Sequence, residues 1–318
     1  MEIEIVELEE RKCKFILKNS TPAKANALRR TMLSDIPKMA IDDVEFHLGP
    51  IDVDGKEFES VTPLFDEIIA HRLGMVPIPT DYNLFTTKDK CTCGGEGCPS
   101  CRIMYSLNKH GPCTVLSGDL QPLGDASLKV KDEDIPIVEL ADGQSVLIYA
   151  HAVMGTAKQH VKWQVANGVG YKYMPVIDID DSKVRDSAAD VANRCPKKVF
   201  EVEKGKLVAK RPIDCSLCQT CSEMTDGAVS VKGDETNVVF KFETDGSLTA
   251  QQVLDKAAEI LSEGAKAIAD SVQCAGIRKP RAGRHRRCAH RRHEPPEVQR
   301  HLDHRAFRSL SRHRLPDG

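Results

Sequence analysis

A long apolar stripe on one predicted helix constrains the fold of this chain more than any other feature. The helix begins at Thr249, and Gln252 stands three residues later, a pattern typical of a capping box. Apolar or small side chains then recur at helical spacing over about five turns, at Val253, Leu254, Ala257, Ile260, Leu261, Gly264, Ala265 and Ile268. No later segment has an apolar periodicity that could cover this stripe. The pattern therefore predicts a helix that is buried partly in the core and partly against another subunit.

A second amphipathic helix is predicted near the N-terminus. Two strand-like segments, 3–8 and 13–17, come first, and Thr21-Pro22 then supplies an N-cap hydroxyl and a proline at the first helical position. The helix is predicted to end near Ser34. One stripe of it carries Ala25, Leu28 and Met32, while Asn26, Arg29 and Arg30 lie off that stripe.

The charge of the chain is divided unevenly. Residues 273–318 contain 12 Arg, one Lys and four acids, whereas the first 272 residues contain 32 basic and 43 acidic side chains. The net charge of this body, −11, argues against a cationic nucleic-acid clamp there. The basic tail is either an arm for nucleic acid, a disordered appendage or the frame-shifted end of a gene. Its abrupt enrichment in Arg and His favours the last two interpretations.

Several function classes are disfavoured by what the sequence lacks. No segment approaches the ~18 apolar residues of a membrane span, and the N-terminus does not resemble a secretory signal, so we expect a cytoplasmic protein. The 12 cysteines are then better explained as thiols or metal ligands than as disulfides. There is no phosphate-binding loop, dinucleotide fingerprint or nucleophile elbow. No catalytic residue is predicted in this chain.

The strongest chemical motif is Cys215-x2-Cys218-x2-Cys221. Three thiolates on one short loop suit an iron–sulfur cube better than tetrahedral zinc. Cys195-Pro196 matches the end of a second ferredoxin motif whose other positions are not cysteines. The sequence therefore predicts one cluster, [3Fe-4S] or [4Fe-4S], held by Cys215, Cys218 and Cys221 with Cys195 as fourth ligand. A zinc knuckle or inert thiols are the alternatives, and a three-iron cluster is expected if Cys195 does not bind.

A second cysteine group lies in a glycine-rich loop. Cys91, Cys93, Cys98 and Cys101 fall within eleven residues, and Gly94, Gly95 and Gly97 allow the loop to turn between them. Four thiols so close together suit one structural zinc ion. A loop of free or oxidisable thiols is the alternative, and Cys113 is near enough in sequence to be a substitute ligand.

Several motifs together resemble a known family. Asn26-Ala-Leu-Arg-Arg30 with the following Leu33–Pro37 and Ile41–Val44 resembles the signature helix of RNA polymerase α subunits. Further similar segments are Ile69–Ile78, Gly155 to Trp163 and Phe242–Leu248. With the ferredoxin-like cysteines, residues 1–272 resemble the α-like assembly subunits of archaeal DNA-directed RNA polymerases. The 91–101 cysteines stand where the eukaryotic counterpart, the third subunit of RNA polymerase II, binds zinc.

The resemblance implies an α+β fold in which a split dimerisation domain is interrupted by two insertions. It implies a dimerisation domain of residues 1–45 and 228–272, a β-rich insert domain of 46–170 and a ferredoxin-like iron–sulfur module of 171–227, followed by the tail 273–318. It also implies that the chain is a non-catalytic assembly subunit of DNA-directed RNA polymerase, a nucleotidyltransferase, with no direct sequence-specific DNA contact.

The resemblance of the whole chain also implies the partners, and that the two helices, far apart in sequence, form one platform for a partner protein. Subunit L would pair with this chain through the 21–34 and 248–271 helices, and the pair would nucleate binding of the large catalytic subunits, with subunits N and P joining. The implied contact residues are Asn26, Leu28, Arg29, Arg30, Met32, Leu254, Ala257, Leu261 and Ile268, the two arginines docking to carboxylates of a large subunit. The alternative is an iron–sulfur electron-transfer protein or oxidoreductase subunit, although such a carrier does not need a capped apolar helix at each end. A third possibility is a redox sensor, in which loss of the cluster lowers polymerase assembly.

Overall fold

The computed structural model describes residues 2–53, 55–184 and 187–276. Residues 277–318 of the predicted tail therefore lie outside the described part. The strands are β1 (Glu2–Leu8), β2 (Lys12–Lys18), β3 (Lys38–Phe46), β4 (Pro50–Val53), β5 (Lys56–Glu59), β6 (Arg102–His110), β7 (Cys113–Leu116), β8 (Gln121–Pro122), β9 (Pro136–Leu140), β10 (Ser145–Gly155), β11 (Ala166–Ile179), β12 (Phe200–Glu203), β13 (Lys206–Ala209) and β14 (Val229–Thr244). The α-helices are α1 (Pro22–Ser34), α2 (Asp66–Met75), α3 (Asp181–Val184), α4 (Ala188–Arg194), α5 (Thr220–Met224) and α6 (Ala250–Gly276).

The first sheet combines two N-terminal strands with two strands from the second half of the chain, in the order β1-β2-β14-β11. Alternate side chains of β2 and β14 point to one face, where Phe15 and Phe240 stack with their ring centroids 5.1 Å apart. Helices α1 and α6 contribute to the same core through Leu28, Met32 and Val253. The prediction that both amphipathic helices belong to one platform therefore agrees with this core.

Both helices begin where the sequence predicts. The Thr21 side chain accepts a hydrogen bond from the backbone N–H of Lys24, with proline at the first helical position. At α6 the Thr249 hydroxyl accepts from the N–H of Gln252 at 3.2 Å, and the Gln252 side chain accepts in return from the N–H of Thr249 at 2.9 Å. These reciprocal bonds satisfy donors that the first turn leaves free, which explains why the capping box fixes this boundary.

The second sheet, in the order β3-β10-β6-β8, builds the largest buried core. Helix α2 covers it through Ile69 and Leu73, which are fully buried. Close to this sheet, Trp163 lies so near Gly155 that a Cβ there would stand 2.5 Å from the indole. The indole N–H also donates to the Val153 carbonyl at 3.1 Å. Trp163 is therefore a packing anchor, as the sequence predicts.

The strands β11 and β14 pair over most of their length and serve two cores. Val238 and Phe240 of β14 belong to the core of the first sheet, whereas Val229 and Val231 belong to a smaller core with helices α3 to α5. The register between the strands shifts at Tyr173/Met174, between these two parts. The predicted iron–sulfur module is thus built on an extension of the strand pair that carries the helices.

Two predicted domain boundaries differ from the sheet pairing. Residues 38–45, expected in the dimerisation domain, pair as β3 with β10 of the insert. Residues 166–173, expected in the insert or the module, pair as β11 with β14 in the first sheet. Local sequence shows that these segments are strands but not which strand is their neighbour, since hydrogen-bonded pairing joins distant residues.

A buried ion pair connects the beginning of β3 with the turn after β14. The Lys38 ammonium contacts the Asp245 carboxylate and donates to the Gln164 carbonyl at 3.3 Å, and only 4% of the Lys38 side chain is exposed. Removing either partner would leave an uncompensated charge, at a cost of about 3–5 kcal/mol.

Within the described residues, no helix is long and apolar enough to cross a membrane.

Candidate dimerisation face and cysteine sites

An apolar groove of about 390 Å³ lies between α1, α6 and the first two strands. Leu28 and Ala27 of α1 form one wall, and Leu254 and Leu261 of α6 form the other. Ile3 of β1 also lines the groove and is 45% exposed. Large aliphatic side chains left this open are typical of a surface that another protein covers.

Strand β1 extends this surface beyond the groove. Ile3, Ile5 and Leu8 pair with Leu17, Phe15 and Cys13 of β2, so they continue the core-facing side of the sheet, yet each is 45–46% exposed. No described helix covers them. The sequence predicts an alternating strand here but does not assign it to the apolar platform, although the spacing of Ile3 and Ile5 was the signal that could have shown it.

The structure distributes the predicted contact residues over three environments. Met32 and Ala257 are buried in this chain's own core, at 1% and 0% exposure, so they support the helices and are not open to a partner. Leu28, Leu254 and Leu261 line the groove. The other four expose at least part of their surface, namely Asn26, Arg29, Arg30 and Ile268. A helical stripe predicts which side is apolar, but only packing shows how deep each residue lies.

The cysteines of the 91–101 loop converge on one point. The Sγ atoms of Cys91, Cys93, Cys98 and Cys101 all lie within 4.8 Å of one another. The closest approaches are 3.4 Å from Cys91 to both Cys93 and Cys98, 3.7 Å from Cys93 to Cys101 and 4.0 Å from Cys98 to Cys101. Four thiolates at about 2.3 Å from a tetrahedral zinc would stand about 3.8 Å apart. This geometry suits one metal ion.

The backbone of this loop also favours negative charge on sulfur. The pKa of Cys93 is lowered to about 5, above all by the backbone N–H of Cys98. The Cys91 thiol and the N–H groups of Gly97 and Gly95 lower it further. Gly94, Gly95 and Gly97 have φ values of 69°, 91° and 93°, a region that costs other residues strain. Burial, the largest cause, raises the pKa of Cys101 to about 12.

Cys113 is not part of this group: its thiol donates to the His110 carbonyl at 3.3 Å.

The predicted iron–sulfur ligands come together differently. Cys195, Cys215, Cys218 and Cys221 line one small cavity, with Val191 and Phe200 among its apolar walls. In the described part of the chain, only the 91–101 group has ligand atoms close enough for a single ion. A cluster requires wider spacing between the cysteine sulfurs than a single ion does, because each thiolate binds a different iron at a corner of the cube.

Backbone N–H groups around this cavity point at sulfur. Val199 donates to Cys195 and Leu217 donates to Cys215, each at 3.4 Å, and a hydroxyl and an N–H of Thr220 lower the pKa of Cys218. Leu217 and Gln219 adopt left-handed φ values of 58° and 65°, which are strained for residues with a side chain. N–H donors to sulfur are among the groups that stabilise iron–sulfur centres. The residues present therefore fit such a cluster.

The amino-acid sequence of this chain is similar to those of known proteins. Residues 14–265 match the family described as the RNA polymerase Rpb3/Rpb11 dimerisation domain. A protein of Thermoplasma volcanium named DNA-directed RNA polymerase subunit Rpo3 is 45% identical over 81% of this chain and 94% of its own length. Proteins of the same name from Picrophilus torridus and Methanosarcina acetivorans are 42% and 38% identical, over 82% of this chain and 96% and 94% of their own lengths.

This chain therefore belongs to the class of α-like RNA polymerase subunits that contain the Rpb3/Rpb11 dimerisation domain. Within that class it belongs to the Rpo3 family of DNA-directed RNA polymerase subunits, the same archaeal α-like family that the sequence motifs indicate. Because these relatives are polymerase subunits, the prediction of a polymerase subunit is confirmed over that of an electron-transfer protein. DNA-directed RNA polymerase is a nucleotidyltransferase.

Proposed function

We propose that this chain pairs with the smaller α-like subunit L of an archaeal RNA polymerase, and that this pair nucleates assembly of the large catalytic subunits with subunits N and P. The observation that carries the proposal is the apolar groove between α1 and α6, which continues onto the exposed aliphatic side chains of β1. An obligate partner buries such a surface because its apolar area then leaves water. The subunit acts in the cytoplasm and contributes no catalytic residue.

The two arginines of α1 support docking to a large subunit. Arg30 is exposed and Arg29 half-buried, and neither has a carboxylate within 4.0 Å in the described part of the chain. A guanidinium presents a planar set of donors that matches a carboxylate. Asn26, on the same helix, is also exposed. These three residues form the polar border of the platform.

The cysteine sites would stabilise the two insertions. One zinc ion held by Cys91, Cys93, Cys98 and Cys101 would close the glycine-rich loop. One [3Fe-4S] or [4Fe-4S] cluster held by Cys195, Cys215, Cys218 and Cys221 would complete the core of the module at 171–227. Bound metal supplies folding free energy to a segment too small to build its own core, and an iron–sulfur cluster can also exchange electrons.

The pairing is tested by introducing charge into the groove. Ile3→Glu and Leu261→Glu each place a carboxylate where the partner would exclude water, so we expect the dissociation constant for subunit L to rise by roughly 10- to 100-fold for each. Val202→Glu in β12 is the matched control, since Val202 is 44% exposed and Ile3 45%. The readout is size-exclusion chromatography with light scattering after anaerobic co-expression.

Two results would contradict this proposal. Either Ile3→Glu and Leu261→Glu both pair with subunit L as strongly as the original chain, or the original chain stays monodisperse and alone at high partner concentration. Iron and zinc analysis of the same fractions reports on both cysteine sites.

A further inference from the structure

A second cleft lies on the opposite face of the first sheet. This cleft, of about 550 Å³, is lined by Lys14 of β2, Lys241 of β14 and Lys172 of β11, with Lys197, Asp214 and Ser216 from the cysteine-bearing loops. Side chains alternate along a strand, and the neighbours of Lys14 and Lys241 face the core beneath α1 and α6. The cleft therefore opens away from the proposed subunit L groove.

Positive charge in this cleft is concentrated and incompletely neutralised. Lys14 and Lys241 are directly opposite each other on paired strands, an arrangement of like charges that destabilises a sheet. Asp214 accepts from the Lys14 ammonium at 3.0 Å and is the only carboxylate among the lining residues. Neither Lys197 nor Lys241 has a carboxylate within 4.0 Å in the ranges that the structure describes. Among the residues that line the cleft, four ammonium groups therefore face one carboxylate.

The structure also holds these cations in place. The Lys172 ammonium donates to the Cys215 carbonyl at 2.6 Å, and the Lys14 ammonium is held by Asp214. Val239, which is 4% exposed, forms an apolar floor between the lysines. A cleft with an apolar floor and cationic walls suits a peptide whose side chains include both carboxylates and an apolar group, because each part meets a complementary surface.

Nucleic acid is the less favourable ligand for this cleft. The first 272 residues carry a net charge of −11, so a long polyanion would meet repulsion as soon as it extended beyond the lysines. No unpacked aromatic side chain lines the cleft for base stacking, since Tyr171 packs on Phe240 with ring centroids 5.2 Å apart. A short, localised anionic segment avoids both difficulties.

We propose that this lysine cleft docks an acidic peptide segment of a polymerase subunit other than subunit L. The proposal rests on the proposed function, because it assumes that the chain works within a polymerase. Carboxylates of the segment would neutralise Lys197 and Lys241, the two lysines without a counter-charge. The chain would then bind two subunits at once, one on each face of the same sheet.

Chemical cross-linking in the assembled polymerase tests this proposal. A carbodiimide joins an ammonium to a carboxylate only when the two touch, so mass spectrometry should find amide links from Lys197 or Lys241 to Asp or Glu of another subunit. Lys241→Arg and Lys197→Arg keep the charge but remove the reactive amine. These variants should lose the links and retain the subunit.

Charge reversal supplies the second measurement. Lys241 belongs to a strand of the sheet and not to a cysteine-bearing loop. Lys241→Glu should weaken retention of the linked subunit by at least about tenfold in a salt-gradient dissociation assay. Lys232→Glu, on the same strand but outside the cleft, is the matched control and should have no effect. Iron content of each variant is measured in parallel.

The outcomes separate the two proposals. Three results together would overturn the acidic-peptide proposal alone. The pair with subunit L is intact, the cleft lysines are linked only to Asp214, and Lys241→Glu retains every subunit normally. An oligonucleotide whose binding depends on Lys197 and Lys241 in the absence of any subunit link would also overturn it. If neither the pair nor the polymerase forms, both proposals fail.

Discussion

The two cysteine sites differ in how the fold uses them. In the 91–101 loop, four sulfurs surround one point and no large core depends on them. In the module, Cys215 and Cys221 are themselves buried members of the small core that contains Val191 and Phe200. The first site closes a loop beside a core that is already complete. The second is part of the small core that the described residues of its segment form, so we expect its metal to carry more of the local folding free energy.

The largest effect is expected from Cys221→Ser. This variant should lose its iron and become sensitive to proteolysis within residues 181–227, at a local cost of several kcal/mol, since structural metals contribute about 10–16 kcal/mol in small metal-dependent domains. Metal analysis and limited proteolysis under anaerobic conditions provide the measurement. Zinc content should remain unchanged. Cys113→Ser, which alters a cysteine outside both sites, is the control, and equal iron in both variants would remove the distinction.

A smaller effect is expected from Cys101→Ser. Zinc affinity should fall by more than about 100-fold, because even residues that only support a metal ligand cost 10–100-fold when changed. The Tm should fall by only a few degrees, since the core of the second sheet does not include this cysteine. Calorimetry and zinc titration give both numbers. A collapse as complete as that of Cys221→Ser would show that the two sites are equivalent.

The smallest effect concerns protons released on zinc binding. A pKa of about 5 makes Cys93 a thiolate at pH 7, so zinc binding there should release fewer than four protons from the four thiols. The number should rise as the pH falls through about 5, because Cys93 then carries a proton that the metal must displace. Titration calorimetry in buffers of different ionisation enthalpy measures the count. Release of all four at pH 7 would mean that the loop does not prepare a thiolate in advance.

Much of the local structure could be predicted from sequence. The starts of α1 and α6 are encoded by Thr21-Pro22 and by the Thr249/Gln252 pair, whose hydrogen bonds involve only neighbouring residues. The 91–101 cysteines can converge because they fall within only eleven residues and three glycines let the loop turn tightly between them. Such features depend on contacts within a few residues, and their energies are therefore visible in a short stretch of sequence.

Other features could not be predicted because they depend on distant partners. The pairing of β3 with β10, the burial of Met32 and the exposed core-facing side of β1 all require knowledge of which elements meet. The lysine cleft is a further case, since Lys14, Lys172 and Lys241 are separated by 69 or more residues and carry no motif. The placement of Cys195 beside the 215–221 loop agrees with the sequence prediction of a shared site, while its ligation stays a prediction.

The sequence alone determined the helix caps, the cysteine spacings and the family, since each is a pattern of residue types along the chain. Tertiary structure decided which apolar side chains are open to a partner and how β11 and β14 serve two cores. It also decided that four lysines line one cleft together with a single carboxylate. The physical reason is that burial and electrostatic neutralisation depend on all groups around a side chain, and most of those groups come from remote parts of the polypeptide.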